Sequence, residues 1–294
     1  MHHIIVNPKA GRSRITVFLE SLEKLFSQIK IEFKKHSLAD ANEFSDEDVV
    51  IGIGGDGTFQ ELASALFGAG KKNRFAIFPA GSGNDFAMSL ESGKRAALSK
   101  YGKNAEHNAR VFFEMLMRGE TRSIDVITAN GTAYLNIGNM GLDARIVQNA
   151  EVLKERFGRH AYLAAVYKSI ARHKNLPLTI EVNGKKIEDE FTLIAVCNGQ
   201  YYGGGMRIAP SASIDDGKIT LCLVEGMPRP KTMILFPSIL MERHTKLKIV
   251  KYIECESVKI ISAGAETLCL DGNLYPCEDE IEFKIHPKAM DVFI

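Results

Sequence analysis

The sequence predicts a two-domain protein, with an N-terminal α/β domain built on a parallel sheet and a C-terminal domain that is an antiparallel β-sandwich. Up to residue 125, short apolar runs alternate with segments of helical periodicity, which is typical of β/α units on a parallel sheet. Beyond residue 125, short runs of β-branched residues are separated by turn signals such as Asn183-Gly184, which indicate antiparallel hairpins. A chain of 294 residues is long enough to form two such cores.

The predicted elements of the first half follow each other in a regular order. Apolar residues over 13–28 and 60–67 recur with the spacing of an amphipathic helix. Three β-branched or aromatic runs alternate with these helical segments and predict strands, at Ile4 to Asn7, Val49 to Ile53 and Phe75 to Pro79. In the second half, one long helical segment over residues 143–173 interrupts the predicted strands.

Composition excludes several classes of function. The 37 Lys and Arg residues against 36 Asp and Glu give a formal net charge of +1, so no overall electrostatic field attracts nucleic acid. The five cysteines are odd in number and lack C-x-x-C spacing, which indicates reduced thiols rather than disulfides or a zinc site. No apolar run reaches the roughly 18 residues that a membrane-spanning helix needs. We therefore expect a cytoplasmic protein with no nucleic-acid partner.

Glycine-rich turns follow each of the three predicted strands of the first half. They are Asn7-Pro8-Lys9-Ala10-Gly11, Gly54-Gly55-Asp56-Gly57-Thr58 and Pro79-Ala80-Gly81-Ser82-Gly83-Asn84-Asp85-Phe86. Because ligands of an open α/β sheet bind at the carboxyl ends of its parallel strands, we expect these turns to meet in one crevice. Glycines let backbone N–H groups close around phosphate oxygens at a helix N-terminus. The turns therefore predict a nucleotide site.

The second turn does not fit the commonest nucleotide motifs. Gly52, Gly54 and Gly57 formally satisfy G-x-G-x-x-G, but no acid ends the next predicted strand to bind a ribose hydroxyl. The Gly-Lys-Ser or Gly-Lys-Thr of a P-loop is also absent from the sequence. Asp56 lies inside the turn, where its charge would repel phosphate unless a cation intervened. Asp56 therefore indicates Mg²⁺ or its water shell.

An ordered series of motifs extends over essentially the whole chain. The series is Gly54-Gly55-Asp56-Gly57-Thr58 with Glu61, Gly81 to Ala87, Asn136 to Ala144, Asn198 with Gly203-Gly204-Gly205-Met206, Ala209-Pro210-Ser211-Ala212, Asp215-Asp216-Gly217 and Asp271-Gly272. This series resembles the diacylglycerol kinase catalytic domain followed by the second domain of the bacterial soluble members. The ordered set is more specific than any single motif, because the Gly-Gly-Asp-Gly-Thr turn is shared with NAD kinases.

The resemblance implies ATP-dependent phosphorylation of a lipid hydroxyl in the cleft between the domains, with diacylglycerol as the default acceptor. It implies a first domain of residues 1–125 with a returning segment 284–294 and a second domain of residues 126–283. It also makes a homodimer, as in bacterial members of the family, one possible assembly. The residues expected at the ATP phosphates are Asn7, Gly54, Gly55, Asp56, Gly57, Thr58, Phe59, Gln60, Glu61, Gly81, Ser82 and Asn84. A structural Mg²⁺ is expected at Ser213, Asp216 and Lys218, with Ser213 and Lys218 acting through backbone carbonyls because an ammonium group cannot ligate a cation.

The sequence departs from the family pattern at its catalytic end. Asp271-Gly272-Asn273 stands where the family has Asp-Gly-Glu, whose glutamate is credited with accepting the proton. A neutral Asn cannot accept that proton, although it can orient a hydroxyl. We hypothesise that Asp271 is the base, with Asp56 and Asp85 supporting the Mg²⁺ network. Phosphoryl transfer relies mainly on positioning and electrostatics, so the missing glutamate need not abolish activity.

Two other functions remain open at this stage. The Gly-Gly-Asp-Gly-Thr turn is compatible with an NAD kinase. Asn273 is compatible with a regulatory protein that binds nucleotide and lipid but has lost catalysis.

A lipid kinase without a membrane span must meet its substrate at the bilayer surface, and two segments are candidates for this contact. One is the predicted helix with the basic residues Lys154, Arg156, Arg159, His160, Lys168, Arg172 and Lys174. The other is Met233 to Met241, flanked by Arg229, Lys231, Arg243, Lys246 and Lys248. Ordinary packing on the core is the alternative for both. We expect peripheral contact at the inner face of the membrane.

Overall fold

The computed structural model describes residues 1–7, 12–36, 44–91, 101–102, 104–157, 161–262 and 267–294. The turn residues Pro8 to Gly11, together with Arg159, His160 and the side chains of Lys154 and Arg156, lie outside the described residues. Among the described helices, none is both long enough and apolar enough to span a membrane.

Parallel strands form the sheet of the N-terminal half, and helices cover both of its faces. The elements are β1 (His2–Val6), α1 (Arg12–Gln28), β2 (Phe33–His36), β3 (Val49–Gly54), α2 (Asp56–Gly68), β4 (Arg74–Pro79), α3 (Asp85–Leu90) and α4 (Ala105–Arg118). The strands lie in the order β2, β1, β3, β4, and all three neighbouring pairs are parallel. Phe18 and Phe112 are buried under α1 and α4, and Phe59 is buried under α2. Burial on both faces explains the uninterrupted apolar run of β3.

The C-terminal half is built mainly from antiparallel strands. They are β5 (Thr121–Ala129), β6 (Thr132–Tyr134), β7 (Ile137–Gly141), β8 (Leu176–Val182), β9 (Lys185–Cys197), β10 (Tyr201–Tyr202), β11 (Met206–Arg207), β12 (Ile219–Glu225), β13 (Val250–Cys255), β14 (Ser257–Ser262), β15 (Thr267–Leu270), β16 (Asn273–Pro276) and β17 (Glu280–Phe293). The α-helices described among them are α5 (Leu142–Phe157), α6 (Ala161–Arg172), α7 (Arg229–Leu235) and α8 (Pro237–Leu240). The fold class predicted from the sequence is confirmed.

Strand β17 connects the two halves. It pairs antiparallel with β14 and β5, and Val292 pairs in parallel with Phe75 of β4. A shift in the pairing between His286 and Met290 bends the strand as it passes from one partner set to the next. The end of β17 therefore lies beside β4 of the first sheet, while the division of the chain at residue 125 and the returning segment 284–294 stay predictions.

Two predicted helices differ in extent from those observed. The segment predicted over 143–173 comprises two helices, α5 and α6, which pack on each other through Ile146 and Val166. The helix predicted from residue 60 begins at Asp56, because Gly55 already has the extended conformation of an N-cap. The acid of the glycine-rich turn therefore lies in the first turn of α2.

Candidate active site

Two glycine-rich turns are in main-chain contact at the carboxyl end of the N-terminal sheet. One joins β3 to α2 through Gly55, and the other follows β4 and contains Gly81. A Cβ atom added to Gly81 would lie 2.6 Å from the Cα atom of Gly55. The N–H group of Ala80 donates to the carbonyl of Gly54 at 2.6 Å. Only glycine allows this approach of two backbones, and it brings the second and third predicted turns together.

Asn7, at the end of β1, reaches the same crevice. Its Nδ2 atom donates to Oγ1 of Thr58 at 2.8 Å. Gly54 leaves room for the Thr58 side chain, since a Cβ atom on Gly54 would lie 2.5 Å from Oγ1. The carbonyl of Gly55 accepts the N–H group of Thr58 at 2.9 Å and so begins α2. The positive end of the α2 dipole therefore lies in the crevice, where phosphate oxygens bind favourably.

Asn84 closes the turn after β4 with its own side chain. Its Oδ1 atom accepts the N–H group of Gly81 at 2.9 Å, and its Nδ2 atom donates to the carbonyl of Gly81 at 3.0 Å. Its φ of 57° is left-handed, a conformation that Asn adopts more readily than most residues. Asn84 therefore shapes the turn and presents Ser82 and Gly83 to the cavity described below.

Asp56 and Asp85 each bind the backbone of a neighbouring segment. Oδ1 of Asp56 accepts the N–H group of Phe86 at 2.9 Å and so caps α3. The carboxylate of Asp85 accepts the N–H groups of Gly204 at 2.9 Å and Gly205 at 2.6 Å, which ties the C-terminal half to α3. Burial raises the pKa of Asp56, while backbone N–H groups oppose the rise.

These two carboxylates face the same point, and their oxygens suit Mg²⁺. A Cβ atom on Gly83 would lie 2.9 Å from Oδ2 of Asp85 and 3.1 Å from Oδ2 of Asp56. Within the described residues, no cluster of three or more His, Cys, Asp or Glu side chains could hold a metal ion. Mg²⁺ typically uses one or two carboxylates and takes its other ligands from substrate phosphates and water. The two acids therefore fit an ion shared with a nucleotide.

Asp271 follows β15 and is bound on both oxygens by backbone N–H groups. Its Oδ2 atom accepts from Leu135 at 2.8 Å and its Oδ1 atom from Ile137 at 2.7 Å, and the N–H group of Asn136 lies 3.1 and 3.2 Å from the two oxygens. Burial raises the pKa of Asp271 to about 7, the charge of Asp56 adds to the rise, and the three N–H groups oppose it. Asp271 is thus an anchored acid with a pKa suited to general-base catalysis.

The acids line one cavity of about 530 Å³ between the two halves. Asp56 and Asp85 contribute from one side, and Asp143 and Asp271 contribute from the other. A second pocket of about 290 Å³ lies against the turn at Gly81 and Asn84 and is lined by Phe18, Phe78 and Tyr101 among others. The turns that are suited to phosphate therefore separate an aromatic pocket from an acidic one.

Asn273 lies beside α2 and supports it. Its Nδ2 atom donates to the carbonyl of Gly57 at 2.9 Å and to Oε1 of Gln60 at 2.7 Å. It is not among the residues that line the 530 Å³ cavity. The Nδ2 atom of Asn273 is therefore engaged with the helix, and the role of Asn273 in orienting the lipid hydroxyl stays a prediction that would rest on its Oδ1 atom.

We expect Asn273→Glu to destabilise the protein and not to restore a catalytic base. A carboxylate at this position would face two acceptors, the carbonyl of Gly57 and Oε1 of Gln60, at a cost of about 2 kcal/mol. The midpoint of thermal unfolding should fall by roughly 4 °C or more. Asn273→Gln, which keeps the N–H donors, is the control and should lose less. A Glu variant as stable as the native chain and more active would contradict this account.

Two of the residues predicted at the ATP phosphates, Phe59 and Gln60, have side chains that point away from the crevice. Phe59 is buried in the core and makes an edge contact with Phe75. Gln60 is buried and donates to the carbonyl of Ala133 at 2.8 Å. Glu61 is exposed on α2. For Phe59 and Gln60, contact with phosphate is therefore limited to the main chain.

The turn predicted to hold a structural Mg²⁺ is rich in oxygen. Oδ1 of Asp216 accepts the N–H group of Lys218 at 3.0 Å, and Oγ of Ser213 donates to Asp215 at 2.8 Å. Burial raises the pKa of Asp216, the nearby charge of Asp125 contributes, and the N–H group of Lys218 opposes the rise. Carboxylate and carbonyl oxygens are the donors that Mg²⁺ prefers, so this turn fits the ion.

Asp143, in the first turn of α5, is a buried acid to which the sequence assigned no role. It is 3% exposed, and its Oδ2 atom has no hydrogen-bond partner among the described residues. Burial raises its pKa to about 7, while a hydrogen bond with Tyr202 opposes the rise. An acid directly after the apolar strand β7 was the available signal. Its position in the cavity wall makes Asp143 a candidate for contact with substrate.

We expect Asp143→Asn to raise the free energy of unfolding, increasingly so at higher pH. Because the folded-state pKa of about 7 exceeds the ordinary Asp pKa of 3.8, the native chain loses stability as pH rises between these values. The Asn variant lacks this loss, so the difference should approach about 4 kcal/mol above pH 7. Urea unfolding at several pH values measures it, with the exposed Glu188→Gln as control. Identical pH dependence in the variant and the native chain would contradict the prediction.

Each half of the chain matches a known family. Residues 2–129 match the family model of the diacylglycerol kinase catalytic domain, and residues 137–294 match that of the YegS C-terminal NAD kinase beta sandwich-like domain. The chain therefore belongs to the diacylglycerol kinase and YegS family of lipid kinases. This membership removes an NAD kinase as an alternative.

Individual relatives are similar over most of their length. The chain is 25% identical to a diacylglycerol kinase of Bacillus subtilis over 279 residues, covering 92% of this chain and 88% of that protein. It is 27% identical to a diacylglycerol kinase of Mycobacterium tuberculosis over 251 residues, covering 83% and 76%. A crystal structure of a diacylglycerol kinase from Bacillus anthracis has the same fold, with a TM-score of 0.68 and 20% identity over 99% of this chain and 96% of that one.

Proposed function

We propose that the protein transfers the γ-phosphate of ATP to the hydroxyl of diacylglycerol in a Mg²⁺-dependent reaction that yields phosphatidic acid. The observation that carries this proposal is the 530 Å³ cavity, which both halves line with acids and which adjoins the N-terminus of α2. Kinase family membership supports the use of ATP. Since the acceptor is a membrane lipid, the reaction would take place where the cytoplasm meets the inner face of the membrane.

The two pockets suggest how the substrates are arranged. The aromatic pocket beside Tyr101 suits the adenine ring, and the turns at Gly55 and Gly81 would hold the phosphates between this pocket and the acidic cavity. The lipid hydroxyl would enter the cavity from the side of Asn136. Mg²⁺ held by Asp56 and Asp85 would neutralise charge on the phosphates.

Asp271 is our candidate for the group that takes the proton of the lipid hydroxyl. It lines the cavity, and its pKa of about 7 lets it be ionised in a substantial fraction of molecules near neutral pH. A base must be ionised to act, so kcat/KM should rise with pH and level off above about pH 7. A flat profile across this range in the native chain would argue against Asp271 in this role.

The direct test measures phosphate transfer from labelled ATP to diacylglycerol and other lipid alcohols in mixed micelles, with and without Mg²⁺. We expect phosphatidic acid as the product and no product without Mg²⁺. Product in the native chain would also establish that the family's usual glutamate is dispensable. Nucleotide binding without transfer to any lipid would favour the alternative of a regulatory protein that has lost catalysis.

A further inference from the structure

Helices α7 and α8 form a two-helix insertion between β12 and β13 that differs between its two sides. Its inner side chains are apolar or buried, and Thr232, Leu235, Phe236 and Ile239 line a small pocket against the sandwich. These positions are spaced as one face of a helical segment is. The insertion is therefore anchored to the core by one face, and its opposite face points away from the core.

The outer face of the insertion exposes large apolar side chains. Ile234 is 76% exposed, Met241 is 58% exposed and Met233 is 37% exposed. Tyr167 of α6, the helix that contacts α7, is 54% exposed. Single exposed apolar residues are common on protein surfaces, but several on one small helical unit indicate a contact surface.

Positive charge is concentrated within and next to the insertion. The exposed cations Arg229, Lys231, Arg243, Lys246 and Lys248 stand within or next to the insertion, while Glu242 is the one acid between residues 229 and 248. The chain as a whole has a net charge of only +1, so this concentration is local. A cationic rim around an apolar centre complements an anionic phospholipid surface.

We propose that the outer face of α7 and α8 docks on a bilayer that contains anionic phospholipid. Ile234 and its neighbours would enter the interface, and the surrounding cations would bind lipid headgroups. This inference rests on the proposed function. It adds to that function the surface through which the kinase would meet its lipid substrate. The pocket beneath the insertion and the 530 Å³ cavity share Asp143 in their walls, so the insertion lies next to the acidic cavity.

The test is flotation with vesicles of phosphatidylcholine and phosphatidylglycerol at 3:1, compared with phosphatidylcholine alone. The native chain should float with the anionic vesicles and much less with the neutral ones, and each cation near the surface should contribute roughly fivefold to binding. Ile234→Glu should lower the partition coefficient by roughly tenfold or more. Ile29→Glu is the matched control, because Ile29 is 52% exposed in the N-terminal half, and it should bind as the native chain does.

Phosphorylation assays separate this proposal from the proposed function. Ile234→Glu should retain activity on a short-chain diacylglycerol dissolved as monomers, and lose it on long-chain diacylglycerol in anionic vesicles. Equal flotation of Ile234→Glu and the native chain would overturn the docking surface, whatever the kinase activity. Loss of a dimer in Ile234→Glu with unchanged flotation would also overturn it and assign the face to a second copy. Normal flotation without phosphorylation of any lipid would overturn the proposed function alone.

Discussion

Replacing Asp271 with Asn should nearly abolish lipid phosphorylation. The carboxylate accepts N–H groups from three consecutive residues, Leu135 to Ile137. An Asn side chain has one acceptor oxygen, and its amide group would face an N–H donor. The lost hydrogen bonds should cost about 2 to 4 kcal/mol in the free energy of unfolding, but removing a buried acid with a pKa of about 7 returns a similar amount above pH 7, so stability should change little there. If Asp271 is the base, kcat should fall by about 10² to 10⁴. Urea unfolding and micelle assays measure the two effects.

The pH profile of the residual activity of Asp271→Asn shows whether Asp271 acts as the base or only anchors the backbone. If Asp271 takes the proton, the residual kcat/KM should no longer rise between pH 6 and 8. If it only anchors the backbone, the slope should persist at a lower level. Asp143→Asn is a suitable comparison, because it removes another acid with a pKa of about 7 from the same cavity. A gain in stability above pH 7 as large as that of Asp143→Asn would contradict the anchoring role.

Gly81→Ala should disrupt phosphate binding with a smaller effect on folding. Its Cβ atom would lie 2.6 Å from the Cα atom of Gly55 and 3.0 Å from Oδ1 of Asn84, so the two turns would have to separate. Strain of this kind costs about 1 to 3 kcal/mol. A displacement of about 1 Å can cost about 10² in rate, so kcat/KM for ATP should fall by roughly that factor. Steady-state kinetics with varied ATP measures the loss.

Gly68→Ala is the control for the Gly81 experiment. Gly68 ends α2, and a Cβ atom there would meet nothing within 4 Å. This variant should therefore be as active as the native chain and equal or slightly higher in stability. A Gly81→Ala variant with native affinity for ATP would show that the contact between the turns does not shape the nucleotide site.

The features predicted from the sequence are those that depend on local pattern. The apolar run before Gly54 and the glycines after it are readable because a buried parallel strand and a close backbone turn each restrict residue type. The convergence of the turns also follows from a general rule about parallel sheets. Asp56 and Asp85 were identified in this way, and both line the cavity.

The features that the sequence did not reveal depend on which atoms meet across the fold. Asn273 is separated from Gly57 by more than two hundred residues, so no local pattern indicates that its amide supports α2. Asp143 lies in a segment that reads as an ordinary strand and helix, and only burial shows that its carboxylate lacks a partner. The same applies to Phe59 and Gln60, whose directions are set by the start of α2 at Asp56.

The position of β17 has a consequence for how the protein is made. This strand lies beside β4, but its residues 280–293 leave the ribosome after all the other described elements. Until then the edge of β4 has no strand beside it, and such an edge invites pairing with other chains. The crevice formed by the turns after β3 and β4 would therefore take its final shape only after Val292 has emerged and paired with Phe75.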